Sequence, residues 1–280
     1  MPLTLDRIIA KVRRDTSPII PIVRLSGVIA ASSGSFRAGL SLAGVEKALA
    51  KAFSVSKAPA VAIVINSPGG AAVQSHLIFK RIRALAEEKK KHVIVAVEDV
   101  AASGGYMIAV AGDEIVVDAA SIVGSIGVVS SGFGFTGLID KLGIERRVHT
   151  AGRSKSMLDP FRPEKEEDVA RLTALQSQVH AGFIALVKQR RPQLIDDPDL
   201  FSGAFWSGAR AVELGLADRI GDLRQVLREK YGPAVRALPI PLGSRGWRRR
   251  LGMSADAAVS LVEGALTGLD ERLTWNRFGL

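Results

Sequence analysis

The sequence predicts an α/β protein built around a largely parallel β-sheet. Apolar, β-branched runs such as AVAIVIN at residues 60–66 and HVIVAVE at 92–98 are typical of buried strands. They alternate with stretches of helical periodicity, such as residues 71–89. Because strands joined by crossover helices run in the same direction, this alternation favours a parallel sheet covered on both faces.

The same patterns predict the other elements in chain order. Strands are predicted where apolar residues run together, and helices where they recur every three or four positions. The predicted strands lie at residues 19–30, 60–66, 92–98, 114–118, 126–131 and 145–150, and the predicted helices at 41–53, 71–89, 103–111, 136–143, 164–191 and 206–223. The long helix at 164–191 is expected to protrude or to pack between subunits.

Three segments are predicted along the chain. Residues 1–18 form a basic, amphipathic N-terminal segment, residues 19–232 the main α/β domain, and residues 233–280 a basic, partly helical C-terminal tail. In the tail, three arginines at 248–250 precede an apolar helical face, which comprises Ala258, Leu261, Val262, Ala265, Leu266, Leu269 and Leu273. That face either packs against its own protein or contacts an anionic membrane surface or a partner.

The composition excludes several classes of function. With no cysteine, the chain has no disulfide, thiolate zinc site or cysteine nucleophile. The four histidines lack metal-binding spacing, so no metal and no other cofactor is expected. The net charge of +10 is spread along the chain, which argues against nucleic acid as a partner. No signal peptide or transmembrane span is predicted, so the expected location is the cytoplasm or the periphery of the cytoplasmic membrane.

A first glycine-rich turn follows the second predicted strand. The sequence INSPGGAA at residues 65–72 leads from this strand into a helix. Its Gly69 and Gly70 allow backbone N–H groups to point outward near the start of the helix. Such groups favour negative charge that develops during a reaction.

A second glycine-rich turn, DVAASGGYMIAVAG at residues 99–112, contains the hydroxyl of Ser103. Ser103 follows a predicted strand and therefore lies at the carboxyl edge of the sheet, where open α/β sheets hold their sites. It either caps the following helix or acts as a nucleophile. Capping does not require Gly104 and Gly105, which leave the space around the hydroxyl free of side chains, so the turn favours a nucleophile.

A serine nucleophile needs a base, and two candidates follow Ser103 along the chain. His149 is the first histidine after it, but no acidic partner points to this histidine. Lys155, in the sequence TAGRSKS, follows a predicted strand and can return over the same edge of the sheet. A lysine amine acts as a base only when it is neutral, which burial or a nearby cation such as Arg153 favours.

Five motifs, in this order, resemble the signal peptide peptidase A family of serine peptidases in the Clp protease and crotonase fold group. The motifs are INSPGG, AASGGYMIA, SIVGSIGVV, GLIDKLGIERRVHTAGRSKS and WSGARAVELGLADRIG, and the likeness spans residues 19–232. The resemblance implies that this range is a catalytic domain, folded as a spiral of parallel strands and helices.

The resemblance also implies roles for individual residues. It makes Ser103 the nucleophile and Lys155 the base, and it places Ser125 beside the lysine amine. Together with the backbone geometry, it suggests that the N–H groups of Gly70 and Gly104 form the oxyanion hole. The implied function is a Ser-Lys endopeptidase that hydrolyses apolar peptides, such as remnant signal peptides or other membrane-associated peptides. The implied assembly is a homo-oligomer with sites at the subunit junctions.

Three alternatives remain open at this point. The sequence GFGFTG at residues 132–137 fits the dinucleotide-binding pattern GxGxxG, although the next predicted strand ends without an acid to hold a ribose. A crotonase-type acyl-CoA enzyme shares the fold and an oxyanion hole made of two backbone amides. A non-catalytic scaffold at a membrane surface would keep the fold without turnover. A reactive serine distinguishes the peptidase from the acyl-CoA enzyme and from the scaffold.

Overall fold

The computed structural model describes residues 17–31, 39–242, 272 and 274–279. Most of the predicted N-terminal segment and most of the predicted tail, including the three arginines and the whole apolar face, lie outside the described residues. The strands are β1 (Ile19–Ser26), β2 (Ala60–Ser67), β3 (His92–Ala102), β4 (Glu114–Val117), β5 (Ile122–Gly124), β6 (Phe205–Ser207), β7 (Arg219–Ile220) and β8 (Arg236–Ile240). The helices are α1 (Leu42–Ser54), α2 (Ala72–Lys89), α3 (Gly104–Ala109), α4 (Thr136–Lys141), α5 (Glu166–Arg190), α6 (Gly208–Glu213) and α7 (Leu223–Tyr231).

The strands form one sheet in the order β6-β5-β3-β2-β1-β8. Every pairing is parallel except that of β5 with β6. The long strand β3 has two successive neighbours on one side, because β4 pairs with its first part at Ile94–Ala96 and β5 with its last part at Val100–Ala102. Since all these strands end toward the same edge, the turns that follow β2, β3 and β5 come together there.

The two faces of the sheet are covered by different helices. Alternate residues of a strand point to opposite faces. Ile63 and Ile65 of β2 belong to the main core together with buried residues of α1 and α2. Ala60 and Ala62 face the other way and pack with α7. Farther along this second face, Phe278 near the C-terminus packs against the end of β3.

Two predicted strands are absent from the described structure. Residues 126–131 were expected to form a strand, but β5 ends at Gly124 because the backbone turns there, with a φ of 113° at Gly124 and 53° at Ser125. Residues 145–150 are largely exposed and pair with no described strand. Charged side chains in ERRVHT lie in solvent, so the alternation of residue types did not reflect a buried face.

The C-terminal boundary also needs revision. Residues 236–240, part of the proline-containing segment interpreted as the start of the tail, form β8. This strand pairs with β1 in parallel, from Ile19↔Arg236 to Val23↔Ile240. The sheet therefore continues past residue 232, and the proline at 239 is tolerated because β8 is an edge strand. Within the described ranges, no helix is long and apolar enough to cross a bilayer.

Candidate active site

Ser103 occupies a strained turn at the end of β3. Its backbone has φ 51° and ψ −120°, which is the first central position of a type II′ turn and normally favours glycine. Hydrogen bonds on both sides hold this conformation: the Ser103 N–H donates to the Gly124 carbonyl at 2.8 Å, and the Met107 N–H donates to the Ser103 carbonyl at 2.9 Å. Its hydroxyl makes no capping hydrogen bond to α3. The alternative of a serine that only caps the helix is therefore wrong.

Ser125 lies beside Ser103 at the carboxyl edge of the sheet. The pairing of β3 with β5 ends with Ala102 opposite Gly124, so the next residues of the two strands are Ser103 and Ser125. Neighbouring strands are about 4.8 Å apart. Ser125 is 3% exposed, has a φ of 53° and makes no side-chain hydrogen bond to any residue in the described ranges. Two serines in left-handed backbone conformations thus stand next to each other.

The glycines of the serine turn allow close packing, which differs from the role expected from the sequence. A Cβ at Gly104 would lie 2.3 Å from the Ser75 Oγ of α2, and a Cβ at Gly105 would lie 2.5 Å from the Ser67 carbonyl oxygen. These glycines therefore let α3 approach β2 and α2, whereas they were expected to clear space around the hydroxyl. At Gly69, with φ 107°, a Cβ would lie 2.8 Å from the Cβ of Ser103.

We expect Gly104→Ala to lower the free energy of unfolding by about 1–3 kcal/mol, because the added methyl group overlaps Ser75. The second substitution Ser75→Ala removes the overlapping oxygen, and the remaining Ser75 Cβ is 3.3 Å away. The double variant should therefore recover much of the lost stability in urea unfolding. Gly134→Ala is the control, because nothing lies within 4 Å of a Cβ there. Equal losses for the single and double variants would show that Ser75 is not the obstacle.

Two backbone N–H groups near Ser103 have no hydrogen-bond acceptor among the described residues. Gly70 forms a parallel bridge with Ile29, in which the Ile29 N–H donates to the Gly69 carbonyl and the Ala71 N–H donates to the Ile29 carbonyl. The Gly70 N–H takes part in neither hydrogen bond. Gly104 begins α3, where helical N–H groups lack an intrahelical acceptor. The Gly69 N–H, in contrast, donates to the Ser67 hydroxyl. The residues expected to form an oxyanion hole therefore have donors available.

Tyr106 connects α3, which follows the serine turn, to the C-terminal part of the domain through a hydrogen bond. It is fully buried in α3, and its hydroxyl donates a hydrogen bond of 2.8 Å to the Leu216 carbonyl. Burial raises the pKa of this phenol, so it remains a donor. The first turn of α3, which follows Ser103 directly, is thereby held at a fixed position.

Lys155 is not in contact with either serine in this chain. It is exposed, and its amine makes no hydrogen bond or ion pair to any residue that the structure describes. Its backbone belongs to a turn in which the Lys155 N–H donates to the Gly152 carbonyl at 3.2 Å. His149, the other candidate base, is also exposed. The single chain therefore assembles the serine side of the candidate site and leaves both candidate bases in solvent.

Two polar residues near the site were not singled out from the sequence. The ring Nε2 of His180 in α5 lies 3.0 Å from the Ile126 carbonyl oxygen, immediately after Ser125. Asn66 bonds to Asp99 at 2.5 Å and accepts from the Val100 N–H at 3.3 Å, where the pairing of β2 and β3 shifts register. Asn66 belongs to the motif INSPGG, which could have indicated it. The partners of both residues are distant in sequence, so these contacts could not be predicted.

The structure does not support a dinucleotide site at residues 132–137. The fingerprint requires a strand, a tight turn and a helix that begins at the turn. Here β5 ends at Gly124, residues 125–131 form no strand that leads into the glycines, and α4 has only 6 residues. The described residues also contain no group of three or more His, Asp and Glu side chains that could hold a metal ion.

Comparison with known proteins decides the family. The model of peptidase family S49 matches residues 85–232, which is more than half of the chain and includes both serines and Lys155. The chain belongs to peptidase family S49. This membership confirms the resemblance to signal peptide peptidase A.

Two proteins illustrate what this chain is similar to along most or all of its length. A candidate protease of Synechocystis is 33% identical over 251 residues, which are 86% of this chain and 89% of that protein. A Brucella abortus protein named Na(+)/H(+) antiporter NhaA is 53% identical over 291 residues, which are 100% of this chain and 39% of that protein. The chain thus spans well under half the length of this Brucella relative.

One solved structure has a similar fold. It is the 1510-N membrane-bound stomatin-specific protease, determined as a lysine-to-alanine variant in complex with a substrate peptide. The TM-score is 0.50 and the sequence identity 15%, and the match covers 84% of this chain and 96% of that chain. Together with the mostly parallel sheet, it confirms the prediction of an α/β fold of the Clp protease and crotonase group.

Proposed function

We propose that this chain is a serine endopeptidase in which Ser103 is the nucleophile and Lys155 the general base. The observation that carries the proposal is the backbone of Ser103, which adopts a type II′ conformation without a capping role. Strain of this kind costs on the order of 1–3 kcal/mol and persists where it serves a site. The family membership supports the same assignment.

In the proposed reaction, the Ser103 hydroxyl oxygen attacks the carbonyl carbon of a peptide bond while its proton passes to the neutral amine of Lys155. The N–H groups of Gly70 and Gly104 stabilise the resulting oxyanion. The ammonium of Lys155 then protonates the leaving amine, and an acyl-enzyme remains. Water, deprotonated by the same amine, attacks the ester and releases the carboxylic acid, which restores Ser103. Ser125 holds the lysine amine in position through its hydroxyl.

Assembly into a homo-oligomer brings the lysine to the serines in this proposal. The segment between β5 and α5 exposes large apolar side chains, with Val129 at 73% and Phe133 at 77% exposure. Leu138, Leu142 and Ile144 of the same segment are exposed as well. Exposed large apolar side chains concentrated in one segment are typical of an interface. Because Lys155 belongs to this segment, contact between subunits orders the lysine loop next to the serine turn.

Apolar peptide segments are the proposed substrates, and remnant signal peptides or other membrane-associated peptides are of this type. The solved S49 relative is named as a membrane-bound protease and was determined with a substrate peptide, which supports a peptide as substrate here. The name of the Brucella relatives describes proteins of which this chain covers 39%, so we propose no transport activity for it. A location in the cytoplasm or at the periphery of the cytoplasmic membrane stays a prediction.

The test is covalent labelling of the full chain with a fluorophosphonate, followed by intact mass and peptide mapping. One adduct per chain on Ser103, together with hydrolysis of an apolar peptide, is the expected result. An acyl-CoA enzyme needs no reactive serine, and a scaffold has none, so both would remain unmodified. Absence of an adduct from an assembled oligomer would refute the peptidase proposal. A peptide aldehyde that protects Ser103 from labelling would show that the site binds peptides.

A further inference from the structure

The Ser125 hydroxyl depends on the backbone around it for its position. The residue is 3% exposed, and its hydroxyl makes no hydrogen bond to any residue of the described ranges. Its φ of 53° is a left-handed conformation, which a serine keeps only where the surrounding contacts impose it. The contacts of the neighbouring backbone therefore decide where the hydroxyl lies.

The Ser125 turn, residues 124–126, is held first by backbone hydrogen bonds. The Ser103 N–H donates to the Gly124 carbonyl at 2.8 Å, and the Ser125 N–H donates to the Ala204 carbonyl at 2.6 Å. The first bond joins the turn to the proposed nucleophile, and the second joins it to the segment before β6. Neither bond depends on a side chain that a substitution could remove.

His180 of α5 adds a side-chain contact to the same turn. Its ring Nε2 lies 3.0 Å from the carbonyl oxygen of Ile126, the residue after Ser125. Because a carbonyl oxygen only accepts hydrogen bonds, Nε2 carries the proton and donates it. Ile126 is fully buried, and the chain becomes exposed from residue 128 onward. The imidazole therefore fixes the backbone where it leaves the core, one residue beyond Ser125.

The rest of α5 is anchored, which gives the imidazole a fixed position. Phe183 and Val187 follow His180 by three and seven positions, so they lie on the same face of the helix, and both are buried in the main core. At the end of α5, the Arg190 guanidinium donates to the carbonyl of Val110 at 3.0 Å. Val110 ends α3, the helix that begins directly after the serine turn. The contact to the Ser125 turn thus comes from a helix that is itself fastened to α3.

We propose that His180 is a positioning residue for the reaction, because its hydrogen bond to Ile126 sets the turn in which the Ser125 hydroxyl meets the amine of Lys155. This inference rests on the proposed function and adds to it a residue from α5. The donor points at a backbone carbonyl, so its effect reaches the reacting atoms through the turn. Small displacements of catalytic groups lower reaction rates by up to about 100-fold, so one such bond can matter for the rate.

Two substitutions separate the hydrogen bond from the bulk of the side chain. His180→Gln keeps an amide N–H donor at about the reach of the imidazole Nε2, whereas His180→Leu removes the donor. Both glutamine and leucine favour a helix more than histidine does, so α5 is retained. His180→Leu should lower kcat for an apolar peptide and the rate of fluorophosphonate labelling of Ser103 about tenfold, with KM nearly unchanged. His180→Gln should recover most of both rates.

Gln189→Leu is the matched control, since Gln189 is exposed in the last turn of the same helix. It should label and turn over like the parent protein. Urea unfolding checks that every variant is folded under the assay conditions. If His180→Leu unfolds there, His180→Asn replaces it, because the shorter amide does not reach the Ile126 carbonyl.

A double variant tests whether His180 acts through Ser125. His180→Leu should slow labelling in the parent protein but not in a chain that already carries Ser125→Ala, because the hydroxyl that it positions is then absent. A merely structural role would slow labelling in both chains by the same factor.

Three results would overturn the inference and leave Ser103 as the labelled nucleophile. These are parent-like rates for His180→Leu, equal losses for His180→Leu and His180→Gln, and an effect of His180→Leu that persists beside Ser125→Ala. An assembled parent protein that is not labelled at Ser103 would instead refute the proposed function, and the positioning role with it.

Discussion

Ser103→Ala should abolish covalent labelling and reduce peptide hydrolysis by about 10⁴-fold or more, while the fold stays intact. The oxygen that forms the acyl-enzyme is lost, and the methyl group of alanine cannot act as a nucleophile. The fold is expected to persist because the Ser103 hydroxyl makes no capping hydrogen bond that the substitution removes. The measurements are fluorophosphonate labelling, hydrolysis of an apolar peptide and urea unfolding.

Two serine variants serve as controls for Ser103→Ala. Ser56→Ala changes an exposed serine near the amino end of β2 and should label and turn over like the parent protein. Ser125→Ala should still be labelled, but more slowly, since Ser125 is proposed only to position the amine. If labelling persists in Ser103→Ala and is lost in Ser125→Ala, Ser125 is the nucleophile and Ser103 is not.

The strained backbone adds a stability test that is specific to position 103. Glycine adopts the type II′ conformation without steric cost, whereas alanine keeps the strain of a Cβ. Ser103→Gly should therefore unfold at a higher urea concentration than Ser103→Ala, by about 1 kcal/mol in the free energy of unfolding, although both are inactive. Equal stability of the two would show that the turn relaxes and stores no strain.

The regular elements were predictable because their patterns are local. The strands at 60–66 and 92–98 and the helix at 71–89 are found at Ala60–Ser67, His92–Ala102 and Ala72–Lys89. Fully apolar runs of that length have few other stable arrangements than a buried parallel strand. The four extra residues by which β3 exceeds its prediction, 99–102, begin with the charged Asp99, and pairing of Val100–Ala102 with β5 decides their conformation.

The features that depend on distant partners were not predictable. Residues 236–240 join the sheet only because β1 has a free edge, and a prolyl segment gives no local sign of that pairing. The reverse error occurred at 126–131, where an apolar run turns away because the Ser125 N–H donates to the Ala204 carbonyl at 2.6 Å. The glycine-rich turn itself marked the position of Ser103. Its glycines are required because the turn packs closely against Ser75 and Ser67, and such tertiary contacts are not visible in the sequence.

Lys155→Arg should lower hydrolysis by about 10²–10⁴-fold, because a guanidinium stays protonated and cannot accept the serine proton. His149→Ala is the matched control, since His149 is also exposed and belongs to the same segment. Normal turnover by Lys155→Arg together with inactivity of His149→Ala would establish the histidine as the base.

A mixture of two inactive variants should show which chain supplies the lysine. In the described chain, the Lys155 amine contacts neither serine, and the apolar surface around Val129 and Phe133 is open to a second copy. If the site is shared between chains, Ser103→Ala and Lys155→Ala proteins refolded together should regain activity, because random mixing gives roughly a quarter of the junctions both groups.

If each chain instead supplies its own lysine, every site in the mixture lacks one of the two groups, and no activity returns. Formation of mixed oligomers has to be verified independently, by co-purification of the two variants through different affinity tags. Mixed oligomers that stay inactive would rule out the shared site and leave the dyad in place within one chain. The lysine loop would then have to move toward Ser103 when the apolar segment of its own chain is covered by a neighbour.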